Sequence, residues 1–286
     1  MAISAFAPAP PEPSAASPLT PAYTRLTEVF PGLSVREAGP GGALCEGPGW
    51  VRAALLAEGG QALDSFLAHD EEQVVRDYET QPRPDVVASF GLHRYAWPVC
   101  LLVTLPWFLH RRVPRLPVEA VSVQRTLGEL SVRIDEFACL PGDPAEHSPQ
   151  ARVVADEEAL RAEVRAALAE HLTPVLEGFR SRMRRGPRAL WGMATDEITE
   201  GLWYLGHLLG EEKRAMHEAG LLLPGGTAPY LQGASFRELA GPQGDLLPTR
   251  DRASCCLFYT LRPEDTCVTC PRTCDAERIA RLSPSR

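Results

Sequence analysis

Apolar residues recur at helical spacing along much of the chain, and the interruptions divide it into segments. A helical stretch over Ala22–Phe30 is ended by Pro31-Gly32. Over Trp50–Leu67, the residues Val51, Leu55, Leu56, Leu63 and Leu67 share one face, with a split predicted at Gly59-Gly60. Val86–His110 is the most apolar helix candidate, and Pro98 and Pro106 predict that it is kinked or broken. Between Pro117 and Leu140 the period shortens. Val118, Ala120, Val121 and Val123, then Leu130, Val132, Ile134 and Phe137, alternate as short β-strands do, and Leu140-Pro-Gly-Asp-Pro closes them with a turn. Two long helices follow, Asp156–Met183 with Leu160, Val164, Leu168, Leu172 and Leu176 on one face, and Pro187–Ala219 with Gly220 as its stop. Pro224–Leu247 reads as loop.

These elements predict an α+β fold: a mainly helical domain with a small antiparallel sheet and a short C-terminal cysteine-rich segment. Residues 1–22, rich in Ala, Pro and Ser, read as a disordered tail. The expected divisions are 1–22, 23–247 for the helical α+β body, and 248–286 for the cysteine segment.

Composition narrows the function. The chain of 286 residues is 44% hydrophobic, enough for a sizeable core. With 29 Lys plus Arg against 37 Asp plus Glu, its net charge of −8 argues against general nucleic-acid binding, which needs a basic stripe. Arg111, Arg112 and Arg115 form the clearest basic patch, read as a solvated loop. The first residues lack the charged start and unbroken apolar stretch of a signal peptide. The apolar run Ala96–Leu109 falls short of a bilayer span and reads as a buried helix interior. A cytoplasmic protein without a transmembrane segment is therefore expected.

Eight cysteines carry the chemistry. Cys45, Cys100 and Cys139 are scattered, whereas Cys255, Cys256, Cys267, Cys270 and Cys274 cluster near the C-terminus. A secreted disulfide scaffold would spread its cysteines throughout, so this cluster points to metal or redox chemistry. Leu257-Phe258-Tyr259 reads as a strand-like piece and Arg262-Pro263-Glu264-Asp265 as a turn, an arrangement that folds the Cys255-Cys256 pair back onto Cys267-x-x-Cys270. Four thiolates satisfy the two irons of a [2Fe–2S] cluster. The same residues admit a structural zinc, although zinc sites more often use two spaced knuckles. Cys267, Cys270 and Cys274 also admit a [4Fe–4S] cluster, and oxidation would give simple disulfides.

The pattern Cys-Cys-x10-Cys-x2-Cys followed by Pro271, with Arg252-Ala-Ser-Cys255-Cys256-Leu-Phe-Tyr259 around its start, closely resembles the C-terminal motif of the FhuF-like ferric siderophore reductases. Arg188-Ala-Leu-Trp191-Gly192 is loosely similar to that family's helical body. The resemblance is specific over residues 252–286 and elsewhere extends to length and texture. It implies that Cys255, Cys256, Cys267 and Cys270 hold a [2Fe–2S] cluster, with Cys274 outside the pattern. It further implies one-electron reduction of a ferric siderophore, of the hydroxamate type, to release Fe(II). Arg252, Arg262 and Arg272 flank the ligands, where cations would stabilise the reduced cluster.

Other constellations are thin. Gly39-Pro-Gly-Gly is a turn and not a dinucleotide loop, and nothing matches a phosphate loop. Reducing equivalents are therefore expected from an external donor such as a ferredoxin or a flavin reductase. His207 with Glu211, and Glu197 with Glu200, read as surface pairs on a helix. Trp97, Trp107, Trp191 and Trp203 read as core more readily than as a substrate cleft. Two other readings stay open: a zinc-stapled protein, and a siderophore-binding protein that does not reduce its cargo.

Overall fold

The computed structural model describes residues 17–230 and 232–283. The elements run in order α1 (Thr20–Val29), β1 (Ser34–Ala38), β2 (Trp50–Arg52), α2 (Ala53–Ala57), α3 (Gln61–Tyr78), α4 (Pro84–His110) and β3 (Arg112–Pro114). After a 3₁₀ turn at Val118–Ala120 come β4 (Val121–Gln124), β5 (Glu129–Arg133), β6 (Phe137–Cys139) and β7 (Ala151–Val153). The chain continues as α5 (Glu157–Arg180), α6 (Pro187–Leu208), α7 (Glu212–Leu222), β8 (Phe236–Ala240), β9 (Leu246–Arg250), a 3₁₀ turn at Phe258–Thr260, and α8 (Asp275–Leu282). The fold is α+β and mainly helical, as the periodicity predicts.

The sheets are more varied than one small antiparallel sheet. A four-stranded sheet runs β1-β5-β4-β2, with β1 parallel to β5 and the other pairs antiparallel. A three-stranded sheet, β3-β6-β7, contains a second parallel pair. The hairpin β8-β9 begins in the stretch Pro224–Leu247 that reads as loop and runs past its end to Arg250. Its turn is rich in Gly and Pro, and besides Leu239 and Leu247 its five-residue strands bury the polar Thr249 and Arg250, so the apolar alternation is faint.

Helix α4 organises the core. It is continuous over 27 residues despite Pro98 and Pro106, and its interior positions are buried on all sides. Pro106 has no N–H for the Leu102 carbonyl one turn back. The Tyr23 hydroxyl of α1 donates to that carbonyl instead, at 2.9 Å, so the backbone stays satisfied without breaking the helix. By length and composition α4 could cross a membrane, but 72% of its apolar window is buried within the fold. The short apolar run Ala96–Leu109 thus understates the helix while correctly reading it as interior.

Three further boundaries differ from expectation. Pro187–Ala219 is two helices and not one, because Gly210 adopts φ +72° after α6. The Glu211 N–H closes back on the Gly206 carbonyl at 2.7 Å, the signature of a left-handed glycine cap. Gly220, the expected stop, lies inside α7. At Gly206 a side chain would put its Cβ 2.2 Å from that of Ala215, so glycine there permits the tight α6–α7 turn. Trp50–Arg52 is a strand ahead of α2, paired with β4, and the split at Gly59-Gly60 is where the sequence puts it. Of the tail expected over 1–22, residues 1–16 lie outside the described residues, while Thr20 to Ala22 already belong to α1.

The basic trio Arg111, Arg112 and Arg115 is neither a free patch nor merely solvated. Arg111 pairs with Glu157 and Glu218, Arg112 with Asp143, and Arg115 with Glu170. These ion pairs tie the end of α4 and β3 to α5, α7 and the β6–β7 connection.

Candidate metal centre

The cysteine segment leaves β9 and lies across α4 and the N-terminal half of α6. Its entrance is fixed by Asp196, a fully buried carboxylate on α6. Asp196 accepts from the backbone N–H groups of Ala253 and Ser254, at 2.9 and 2.8 Å, and from the Arg250 guanidinium at 2.6 Å. Arg250 is itself fully buried and also donates to Glu200 and to the Ala234 carbonyl. Charge-assisted bonds in a dry setting hold geometry well, and each group here has partners.

The far end of the segment is gripped by Arg278 of α8. This buried guanidinium donates to the carbonyls of Cys270, Thr273 and Arg250, at 3.1, 3.2 and 3.1 Å, and to the Asp251 carboxylate at 3.0 Å. One side chain thereby ties the second cysteine pair to the end of β9. Thr269 adds a bond to Glu200 at 3.1 Å. On the opposite side, the Ser89 hydroxyl of α4 donates to the Cys256 carbonyl at 2.9 Å.

Between these clamps the backbone makes the predicted reversal. The Asp265 N–H bonds the Arg262 carbonyl at 3.2 Å, closing the Arg-Pro-Glu-Asp turn. Cys267 and Cys270 are joined by a turn of their own, N–H to carbonyl at 3.0 Å. Leu257-Phe258-Tyr259 is not strand-like. Leu257 has φ +68° and starts the 3₁₀ turn, which lets Phe258 pack against Tyr78 and Phe90 and Leu261 join a small apolar cluster with Val74 and Val86. Side-chain anchoring on α3 and α4 decides that local conformation.

All eight cysteines are unpaired. Cys270 is buried, Cys255 and Cys256 are half-buried, and Cys267 is exposed. Cys274, exposed, sits just ahead of α8, while Cys100 and Cys139 are core residues. Among the described residues, no three His, Cys, Asp or Glu side chains already converge on a metal position. The donor set nonetheless fits a cluster. Four thiols come from one doubly turned segment, and backbone N–H groups already face two sulfurs, Leu257 to Cys255 Sγ at 3.4 Å and Arg272 to Cys270 Sγ at 3.5 Å. Hydrogen bonds to sulfur are among the controls on an iron–sulfur potential.

The three flanking arginines separate. Arg252 Nη1 lies 4.0 Å from Cys267 Sγ, and its guanidinium is buried between Asp196 and Glu197, at 3.6 and 3.5 Å. Burial opposes its charge, but Asp196 and Glu197 outweigh that and keep it protonated. Burial likewise pushes the Cys256 thiol up, while the Phe258 N–H and Arg252 pull it back. Arg272 stacks on Tyr259 and Arg262 on Tyr78. Those two hold aromatic rings.

Of the carboxylates of α6, sequence reasoning passed over Asp196 and read Glu197 and Glu200 as a surface pair. Glu197 is buried and pairs with His93 Nδ1 as well as with Arg252. It is not a surface residue. The available signal was three acids, Asp196, Glu197 and Glu200, on nearly one face of a helix that is otherwise apolar. His207 meets Glu212 and not Glu211, because the glycine cap re-aims the chain.

Beside this site lies a cavity of about 450 Å³ between α3, α4 and the four-stranded sheet. Its walls include Phe30, Gln73, His93, Arg94, Trp97 and Arg125. Trp97 therefore does line a cleft, in edge contact with Phe30 and Tyr204, whereas Trp107 is fully buried core. Trp191 packs on Tyr230, and Trp203 packs on Phe236 and donates to Glu212.

No curated protein matches the chain. Residues 252–272, by contrast, match the family model of the FhuF 2Fe–2S C-terminal domain. That stretch begins at Arg252, ends just past the second cysteine pair, and coincides with the clamped double turn. Residues 252–272 are accordingly similar to a FhuF-type 2Fe–2S domain, and they hold its cysteines, Cys255, Cys256, Cys267 and Cys270.

Proposed function

We propose that the chain is a one-electron reductase of ferric siderophores, with Cys255, Cys256, Cys267 and Cys270 as the ligands of one [2Fe–2S] cluster. The observation that carries this reading is the coincidence of the FhuF 2Fe–2S match with a segment turned and clamped around those four thiols. When bound, such a cluster supplies single electrons. Fe(III), the substrate metal, is hard and held tightly by anionic oxygens, and one electron converts it to the more weakly held Fe(II).

The protein's own residues contribute position and charge. Asp196 and Arg278 fix the backbone on either side of the thiols, which limits rearrangement when charge is added. Arg252 keeps a cation beside Cys267, favouring the more negative, reduced state. Cys267, at the surface, marks the edge where an external donor approaches; a ferredoxin or flavin reductase in the cytoplasm fits that role. Electron transfer asks for proximity and matched potentials, so no general base is assigned.

Anaerobic purification followed by absorption and by EPR after dithionite tests the cofactor, and turnover of a ferric chelate with an Fe(II) trap tests the reaction. A red-brown protein with a rhombic signal on one-electron reduction, releasing trapped Fe(II), is expected. A colourless zinc protein, unchanged after iron–sulfur reconstitution, would make the tail a structural staple. A reducible cluster without Fe(II) release would leave a siderophore-binding protein.

A further inference from the structure

We infer that the cavity between α3, α4 and the four-stranded sheet is the seat of a net-anionic metal chelate, held by Arg94 and Arg125 and stacked against Trp97. The inference rests on the reductase reading for its cargo, and on independent geometry for its site.

Charge is the first argument. Arg94 and Arg125 both point their guanidiniums at one fully buried carboxylate, Asp70, at 2.8 Å and 2.6 Å. Two cations on one anion leave a positive charge at the cavity wall. Glu129, at the cavity edge, is neutralised by a bidentate bond to Arg36, at 2.8 and 3.1 Å. Arg94 also donates to Gln73 Oε1 at 2.9 Å and Arg125 to the Phe66 carbonyl at 3.5 Å, and both guanidiniums keep further N–H donors beyond these. A partly buried pair of this kind recognises an anion more strongly than surface lysines would.

Shape is the second. The volume falls within the range of small-molecule sites, and its Phe30 and Trp97 faces suit a flat, aromatic group. Three dianionic catecholates around a trivalent ion leave a trianionic complex that presents aromatic rings. Three hydroxamates leave a neutral one that gains nothing from the excess charge. The cavity therefore selects the anionic, aromatic class over the hydroxamate type that the sequence resemblance implies.

Position is the third. His93 lines the cavity, and Ser89, four residues earlier on α4, bonds the Cys256 carbonyl. Four helical residues rise about 6 Å. The chain His93–Glu197–Arg252–Cys267 makes a second link from cavity wall to thiol. A chelate in the cavity would sit one helical turn from the cysteine segment.

Gallium(III) complexes test the site apart from the reaction, since gallium copies ferric charge and size but is not reduced. In calorimetric titrations of the purified holoprotein, a hexadentate gallium tris-catecholate is expected to bind at least about tenfold more tightly than a neutral gallium trihydroxamate. Arg94→Gln, which leaves Arg125 on Asp70, should remove that preference while sparing the neutral complex. Gln73→Trp, at a half-buried wall position, should weaken the tris-catecholate by filling the space and by taking from Arg94 its Gln73 acceptor. Equal affinity for the two complexes, or tris-catecholate binding unmoved by both variants, overturns the cavity assignment and leaves the reductase reading intact. Charge-selective gallium binding without reduction of the matching ferric complex overturns the reductase reading and leaves the cavity standing.

Discussion

The helical body and the cysteine segment are held by different forces. The body buries α4 on every side and surrounds it with leucines and valines of α1, α5 and α6, so its stability comes from removing apolar surface from water. In the segment, by contrast, Leu261 and Cys270 are the buried apolar residues among those described after β9, and order there comes from Asp196, Arg250 and Arg278. Apolar burial is tolerant of exchange, whereas a network of buried charges requires each partner. The two regions should therefore fail separately, and the largest effects should fall on the segment.

Loss of a cluster ligand is the most severe case. Cys256→Ser or Cys270→Ser is expected to abolish or badly disturb the visible spectrum while far-UV circular dichroism stays near wild type. Cys45→Ser, on the body, should leave both unchanged. Wild-type absorption in both ligand variants would remove the cysteine assignment.

Next comes the clamp. Asp196→Asn leaves the buried Arg250 short of its closest carboxylate, and breaking a buried pair in this way costs about 3–5 kcal/mol. Denaturation followed by visible absorption should show the segment releasing at lower urea than the helices, which wild type should not. Asp64→Asn, removing an exposed partner of Arg182, should change either transition by less than about 1 kcal/mol. Coincident transitions in Asp196→Asn would mean that the network does not govern the tail.

How much of this was legible in the sequence follows the same division. Periodicity located α1, α5, most of α4 and the start of α3, which runs on past Leu67 to Tyr78, because burial on one face leaves a mark every three or four residues. It misread α6–α7 as one helix, since the apolar period carries across Gly210 and the cap depends on backbone geometry. The thiols were legible because their spacing is unusual and local. The clamps were not, because Asp196 meets Arg250 across a long stretch of chain, and three acids on an apolar helix hint at burial without naming a partner. The cavity was equally hidden: Arg94 and Arg125 meet at Asp70 through tertiary packing alone.

The body has its own buried polar weak point, which acid should expose. His171 of α5 is fully buried, and burial lowers its pKa from 6.5 to about 4. Its Nδ1 donates to the Leu116 carbonyl at 2.7 Å and its Nε2 accepts from the Tyr95 hydroxyl, so the neutral ring is what fits. The unfolded chain binds this proton first. Stability from the neutral ring is thus complete above pH 6.5 and lost as pH falls towards 4, by about 3 kcal/mol from this group alone. Urea melts of His171→Gln between pH 4 and 6.5 should show a flatter slope than wild type. An equal slope would place the acid sensitivity elsewhere.

The smallest effect is the most specific. Arg252 stands 4.0 Å from Cys267 Sγ, but Asp196 and Glu197 sit on its other side and offset much of its field. Removing the cation with Arg252→Gln should therefore lower the midpoint potential only modestly, on the order of 60 mV, a tenfold change in a one-electron equilibrium. Glu197→Gln removes an anion from the same cluster of charges and should raise the potential. Opposite signs in potentiometric titrations, with the absorption spectrum preserved in both, are what electrostatic tuning requires. Shifts of the same sign would mean that either substitution loosens the clamp, making Arg252 a strut of the segment and not its charge control.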